Sequence, residues 1–173
     1  YLNHTRNSHA AAQTIFNGRS IGEAEFAILR ASFYHVPTIL VAGEYAACHS
    51  ALDFNGFPLE TVVCKRGFSR YSVMHYPPEK ILPEIHAKSC KAMSNLSAYK
   101  PVKVKKEMEM IYRCMCPNQA EAFIMRGDEM IDEVTVRLKG TDAMDFYAQL
   151  SGWDAGVHNR YFGITDMTTN LYQ

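Results

Sequence analysis

The chain has 173 residues, 47% of them hydrophobic and 21% charged, and its 18 Lys+Arg balance 18 Asp+Glu to a formal net charge of zero. That profile excludes a disordered chain and a string of independent modules, and it predicts one globular unit able to bury a sizeable core. With no Lys/Arg block and no apolar run near the roughly 18 residues of a membrane span, neither nucleic acid nor a membrane is an expected partner.

In chain order, Gly22 to His35 is Ala-rich and apolar on nearly all sides, which predicts a helix buried on more than one face. Val36-Pro37 leads into the continuous apolar run Thr38 to Ala42, a strand covered on both faces that ends at Gly43, and Glu44 to Leu52 can start a helix. Leu59 to Lys65 reads as a second buried strand, so the order is strand, helix, strand, the unit of a parallel sheet. After Pro77-Pro78, the residues Ile81, Ile85, Ser89 and Met93 form one stripe of a surface helix, in which Pro83 fits only near the start.

A loop is expected over Ser94 to Pro101. The alternation of Val102, Val104, Met108, Met110 and Tyr112 with charged neighbours then predicts a strand with one solvated face. Val134, Val136 and Leu138 alternate in the same way, and a short helix from about Asn118 to Met125 joins the two strands. Thr141 can cap a last helix whose buried stripe is Ala143, Phe146, Tyr147 and Leu150. The expected fold is α/β, a mostly parallel sheet flanked by helices, with a smaller α+β second lobe. Residues 1–98 make the first lobe and residues 99–173 the second lobe plus a tail.

Five cysteines at irregular spacings (Cys48, Cys64, Cys90, Cys114 and Cys116) argue against a disulfide scaffold and suit a reducing compartment, so a cytoplasmic protein is expected. The start at Tyr1 and the polar stretch to Ser8 do not read as a signal peptide, and a preceding segment is expected. GxGxxG, Walker, GxSxG, HExxH and paired CxxC motifs are absent, and Cys114-Met115-Cys116 lacks partners at zinc-finger spacing. His4, Arg6, His9, Arg19, Glu23 and Glu25 gather titratable groups just before the apolar helix, as cleft-lining residues often do. The blander account of Glu23 is a carboxylate favoured by the helix dipole.

Three blocks stand in order: Ile15-Phe16-Asn17-Gly18-Arg19-Ser20-Ile21-Gly22-Glu23 after His4-Thr5, then Tyr34 to Gly43 (YHVPTILVAG), then Thr61 to Arg70 (TVVCKRGFSR). Together they resemble the C-terminal portion of the D-aminopeptidase family, binuclear zinc metallopeptidases of the dipeptide-operon type. The likeness runs from His4 to at least Ile85 and more loosely over 102–150, and nothing is matched after about Trp153. The resemblance implies a zinc-dependent hydrolase of short peptides or small amides. It puts a metal ligand at Glu23 and a nucleophile or general base at His4. It also implies a homo-oligomer.

Two departures shape that expectation. The family's remaining zinc ligands, an Asp-x-Glu and two histidines, lie upstream of the matched part, so the chain is expected to be part of a longer two-lobed fold and to need an N-terminal segment of the same protein. Where the family usually has Gly-Asp-Asp, this chain has Gly43-Glu44-Tyr45. The alternatives are a non-catalytic oligomer-forming or binding subunit, motivated by the absent ligands, and an amide-forming biosynthetic relative.

Overall fold

A computed structural model of the protein describes residues 10–69, 71–103, 107–141 and 143–151. The elements are β1 (Ala11–Phe16), β2 (Arg19–Ser20), α1 (Glu23–Phe33), β3 (Leu40–Glu44), α2 (Tyr45–Asn55), β4 (Glu60–Ser69) and β5 (Ser72–His75). There follow α3 (Pro78–Ser94), a 3-10 turn (Leu96–Ala98), β6 (Met108–Cys114), α4 (Pro117–Arg126), β7 (Glu129–Met130), β8 (Thr135–Gly140) and α5 (Ala143–Ser151). The described chain divides into two compact units, residues 21–103 and residues 10–20 with 107–151. The expected division at residue 98 keeps β1 and β2 in the first lobe, but their hydrogen bonds place them in the sheet of the second unit.

The first unit is built on a three-stranded sheet, β3-β4-β5. β3 and β4 run parallel, with Leu40 beside Glu60 and Ala42 beside Val62, as strand–helix–strand order requires. β5 returns antiparallel to β4, pairing His75 with Lys65. The expected both-face burial of the first strand is incomplete, because β3 is only half-buried and Ala42 is exposed. α1 likewise keeps one open side at Ala27 and Arg30, while Phe26, Ile28 and Leu29 are buried. It stops at Phe33 because His35 adopts φ +57° and Pro37 follows. Ile28, Ala51 and Leu59 form a core onto which Ala24, Val41, Phe54 and Val102 pack, each fully buried aliphatic side chain being worth about 1.5–3 kcal/mol.

α3 begins at Pro78, so Pro83 lies inside the helix and removes one backbone hydrogen bond there. Ile81 and Ala92 are its buried residues, whereas Leu82 and Met93 face outward, a stripe rotated from the expected one. The rotation follows the helix's polar anchors: Lys88 Nζ donates to the Thr61 carbonyl at 2.6 Å, and Lys91 pairs with Glu60 at 2.7 Å. Tyr99 Oη also donates to Glu60, at 3.0 Å. The Lys91 ammonium, ahead of this hydroxyl, holds the Glu60 carboxyl below its usual range, with burial opposing both.

The second unit is a five-stranded sheet, β2-β1-β6-β8-β7, and every pairing in it is antiparallel. The expectation of a mostly parallel sheet therefore holds only for the β3–β4 pair. Asn17-Gly18, at φ +47° and +82°, is the two-residue turn between β1 and β2, since both positions need the left-handed region that Asn and Gly tolerate. Asn17 also ties the hairpin to β6. Its N–H donates to the Glu109 carbonyl at 2.9 Å, and the Glu109 N–H donates back to Asn17 Oδ1 at 2.9 Å.

The strand expected from Val102 to Tyr112 is not continuous. Val102 belongs to the first unit's core, with its N–H bonded to Ser32 Oγ at 2.9 Å, and β6 begins only at Met108. Within β6, Tyr112 is only half-buried, whereas Met108 and Met110 are buried as expected and Cys114 is buried as well. They share the inner side with Phe16, Val136, Leu138 and Phe146, and the Phe16 and Phe146 rings meet edge-on at 5.9 Å. On the opposite side, Arg137 pairs with Glu109 at 2.9 Å and with Glu129, which Lys139 joins at 2.9 Å.

Candidate functional site

The start of α1 carries the described part of the expected site. Gly22 is the N-cap in extended backbone, and its carbonyl accepts the Phe26 N–H at 3.1 Å. Glu23 is the first helical residue and is exposed. A carboxylate there is favoured by the helix dipole, worth about 0.3–1 kcal/mol, and it is carried on a regular helical backbone.

Two residues on, Glu25 is only 2% exposed. Its Oε2 accepts the Gly22 N–H at 2.8 Å, half of a capping box. Its Oε1 is buried and has no hydrogen-bond partner among the described residues. Leaving such an atom unsatisfied costs about 1–3 kcal/mol, and more for a charged group, which exceeds the roughly 1 kcal/mol an ordinary cap contributes. The Gly22-x-x-Glu25 spacing was the signal in the sequence for this bond, obscured because the N-cap is Gly and not Ser or Thr.

His4, the other expected site residue, lies outside the described residues, as do Arg6 and His9. Of the polar cluster read from the sequence, Glu23 and Glu25 share one helix turn, whereas Arg19 sits in β2 of the other unit. Two of the other described histidines, His49 and His86, have local settings. His49 Nδ1 lies 2.8 Å from the Tyr45 carbonyl with its ring 4.0 Å from the Tyr45 ring, and His86 lies 3.8 Å from Cys90 Sγ on the exposed side of α3. Burial pushes the Cys48 and Cys114 thiols up, which keeps them protonated.

Glu44, at the sequence's departure from Gly-Asp-Asp, has a definite structural role. Its Oε2 caps α2 by accepting from Ala46 and Ala47 at 2.6 and 3.3 Å, and its Oε1 accepts the Gly67 N–H of β4 at 3.0 Å. Burial pushes this carboxyl up, but the three backbone donors outweigh it and hold it below the usual carboxylate range. One side chain thus joins β3, α2 and β4.

Zinc is the metal that the sequence resemblance implies, and Glu23 suits one of its ligand positions: an oxygen donor, exposed, in the first turn of a helix. Among the described residues, however, no three His, Cys, Asp or Glu side chains gather as a metal-binding group. The donor fits, and the set that would close the site is not among those residues. No described helix is long and apolar enough to cross a membrane.

Residues 1–151 match a protein-family model described as D-aminopeptidase. Among solved structures, the chain is similar to one described as the Zn-dependent D-aminopeptidase DppA from Bacillus subtilis, a self-compartmentalizing protease. The TM-score is 0.77 at 22% identity, over 96% of this chain and 58% of that one. At that identity the likeness is one of fold, and the chain spans less than two thirds of the matched protein. A search of curated proteins finds no match.

Proposed function

Because the chain belongs to the D-aminopeptidase family, we propose that it is the Glu23-bearing part of a zinc-dependent peptidase that hydrolyses short peptides or small amides. The observation that carries this reading is the exposed Glu23 carboxylate in the first turn of α1, next to a backbone N–H held by a buried carboxylate. Glu23 contributes one metal ligand, and an N-terminal segment of the same protein contributes the others. When bound, zinc would polarise the amide carbonyl and lower the pKa of water. His4 is assigned the proton transfer, as nucleophile or general base, because an imidazole changes charge near neutral pH and can both take and return a proton.

Assembly as a homo-oligomer belongs to the same proposal, supported by the description of the solved relative as self-compartmentalizing. A second reading, a non-catalytic oligomer-forming or binding subunit, draws on the absence of a three-ligand group among the described residues. Metal analysis of the native protein, with hydrolysis of short D- and L-peptides, tests the choice. Zinc together with turnover supports the peptidase, and a folded, metal-free, inactive protein supports the subunit. Product analysis with competing amines separates hydrolysis from amide formation.

A further inference from the structure

We infer that Glu25 is a positioning residue for Glu23: its buried carboxylate holds the Gly22 N–H and so fixes the helix turn from which Glu23 reaches the metal. The inference rests on the reading of Glu23 given above. Capping boxes ordinarily sit at the surface, where the acidic side chain keeps its second oxygen in water. Here the side chain is 2% exposed, one oxygen accepts the Gly22 N–H at 2.8 Å, and the other is buried without a partner among the described residues.

As a device for local stability alone this is a poor arrangement, since burying an unsatisfied carboxylate oxygen costs more than an ordinary cap contributes. What it secures is geometry. The N–H held by Glu25 is that of Gly22, in the Ile21–Gly22 peptide unit one residue ahead of Glu23, and α1 continues as a regular helix from there, with Phe26, Ile28 and Leu29 among its buried residues. Groups of this kind orient a ligand without touching the metal, and their loss typically costs 10–100-fold in metal affinity.

The test uses the natural full-length protein and three forms: wild type, Glu25→Leu and Glu25→Gln. Competition titration measures zinc affinity, thermal unfolding in chelator measures the stability of the metal-free protein, and amide exchange measures protection of the Gly22 N–H. Glu25→Leu is expected to unfold at or above the wild-type temperature, because the orphaned oxygen is gone. It should bind zinc 10–100-fold more weakly and exchange the Gly22 amide at least tenfold faster. Glu25→Gln keeps an acceptor for that amide and should recover zinc affinity to within about threefold of wild type.

A merely structural role would show the opposite pattern, a lower unfolding temperature with zinc affinity unchanged, and would overturn the inference. Failure of Glu25→Leu to fold, or zinc binding by Glu25→Gln no tighter than by Glu25→Leu, would overturn it as well. Should wild type bind no zinc, the reading of Glu23 falls separately. Amide exchange then still decides the clamp, with unchanged Gly22 protection in Glu25→Leu counting against it.

Discussion

Replacing Glu44 by Ala removes three hydrogen bonds that converge on one carboxylate, from Ala46 at 2.6 Å, Ala47 at 3.3 Å and Gly67 at 3.0 Å. The first two make an N-cap, whose loss costs about 1 kcal/mol. The third ties β4 to a charged acceptor, and for a half-buried group the lower end of the usual range applies, roughly 1.5 kcal/mol. Together the loss is about 2–3 kcal/mol, or a fall of about 5–10 °C in Tm for a chain of this size.

The effect carries a pH signature. The Glu44 carboxyl is held below its usual range in the folded protein, so its contribution is fully present above the unfolded value of about 4.3 and is lost as pH falls through the lower folded value. Thermal unfolding of wild type, Glu44→Ala and Glu44→Gln from pH 7 down to pH 3 reads both parts. The gap between wild type and Glu44→Gln should be largest near neutrality and should close toward pH 3. A Glu44→Ala protein within about 1 °C of wild type at pH 7, or a wild-type gap to Glu44→Gln that does not change with pH, would refute the reasoning.

Asn17→Ala should cost about 2 kcal/mol in urea unfolding, because it removes the bond to the Glu109 N–H and puts a β-carbon residue at φ +47°. Asn17→Gly, which loses the bond without the strain, should cost about half as much, and equal losses would argue against the turn assignment. His4→Ala should lower kcat by about 10²–10⁴-fold with zinc content unchanged, as expected for a proton-transfer group. Zinc lost along with activity would instead make His4 a ligand.

The periodicity of apolar residues made the helices legible, as in α1 with Phe26, Ile28 and Leu29 buried, although the buried stripe of α3 is rotated from the expected one. It also marked the β3–β4 crossover, whose strands are short apolar runs around α2. What it could not mark was partnership. β1 is a mixed segment, AAQTIF, and its place is fixed by pairing with β6, nearly a hundred residues away in sequence. The Asn17-Gly18 pair was the local signal for its hairpin.

Val102 and Met108 share one alternating run, yet each packs in a different unit, because periodicity is blind to which core a residue enters. At the candidate site, the block ending in Gly22-Glu23 was visible, whereas the burial of Glu25 and the three-way capping by Glu44 depend on tertiary neighbours.

The most direct test of the account is zinc content and peptide turnover of the native protein beside its Glu23→Ala variant, measured at matched folding by circular dichroism. The account predicts zinc in wild type with hydrolysis of short peptides. In Glu23→Ala it predicts zinc reduced by at least tenfold and turnover lost with it, as removal of a metal ligand requires. A wild-type protein that hydrolyses peptides without divalent metal, or a Glu23→Ala variant that keeps both zinc and activity, would contradict it.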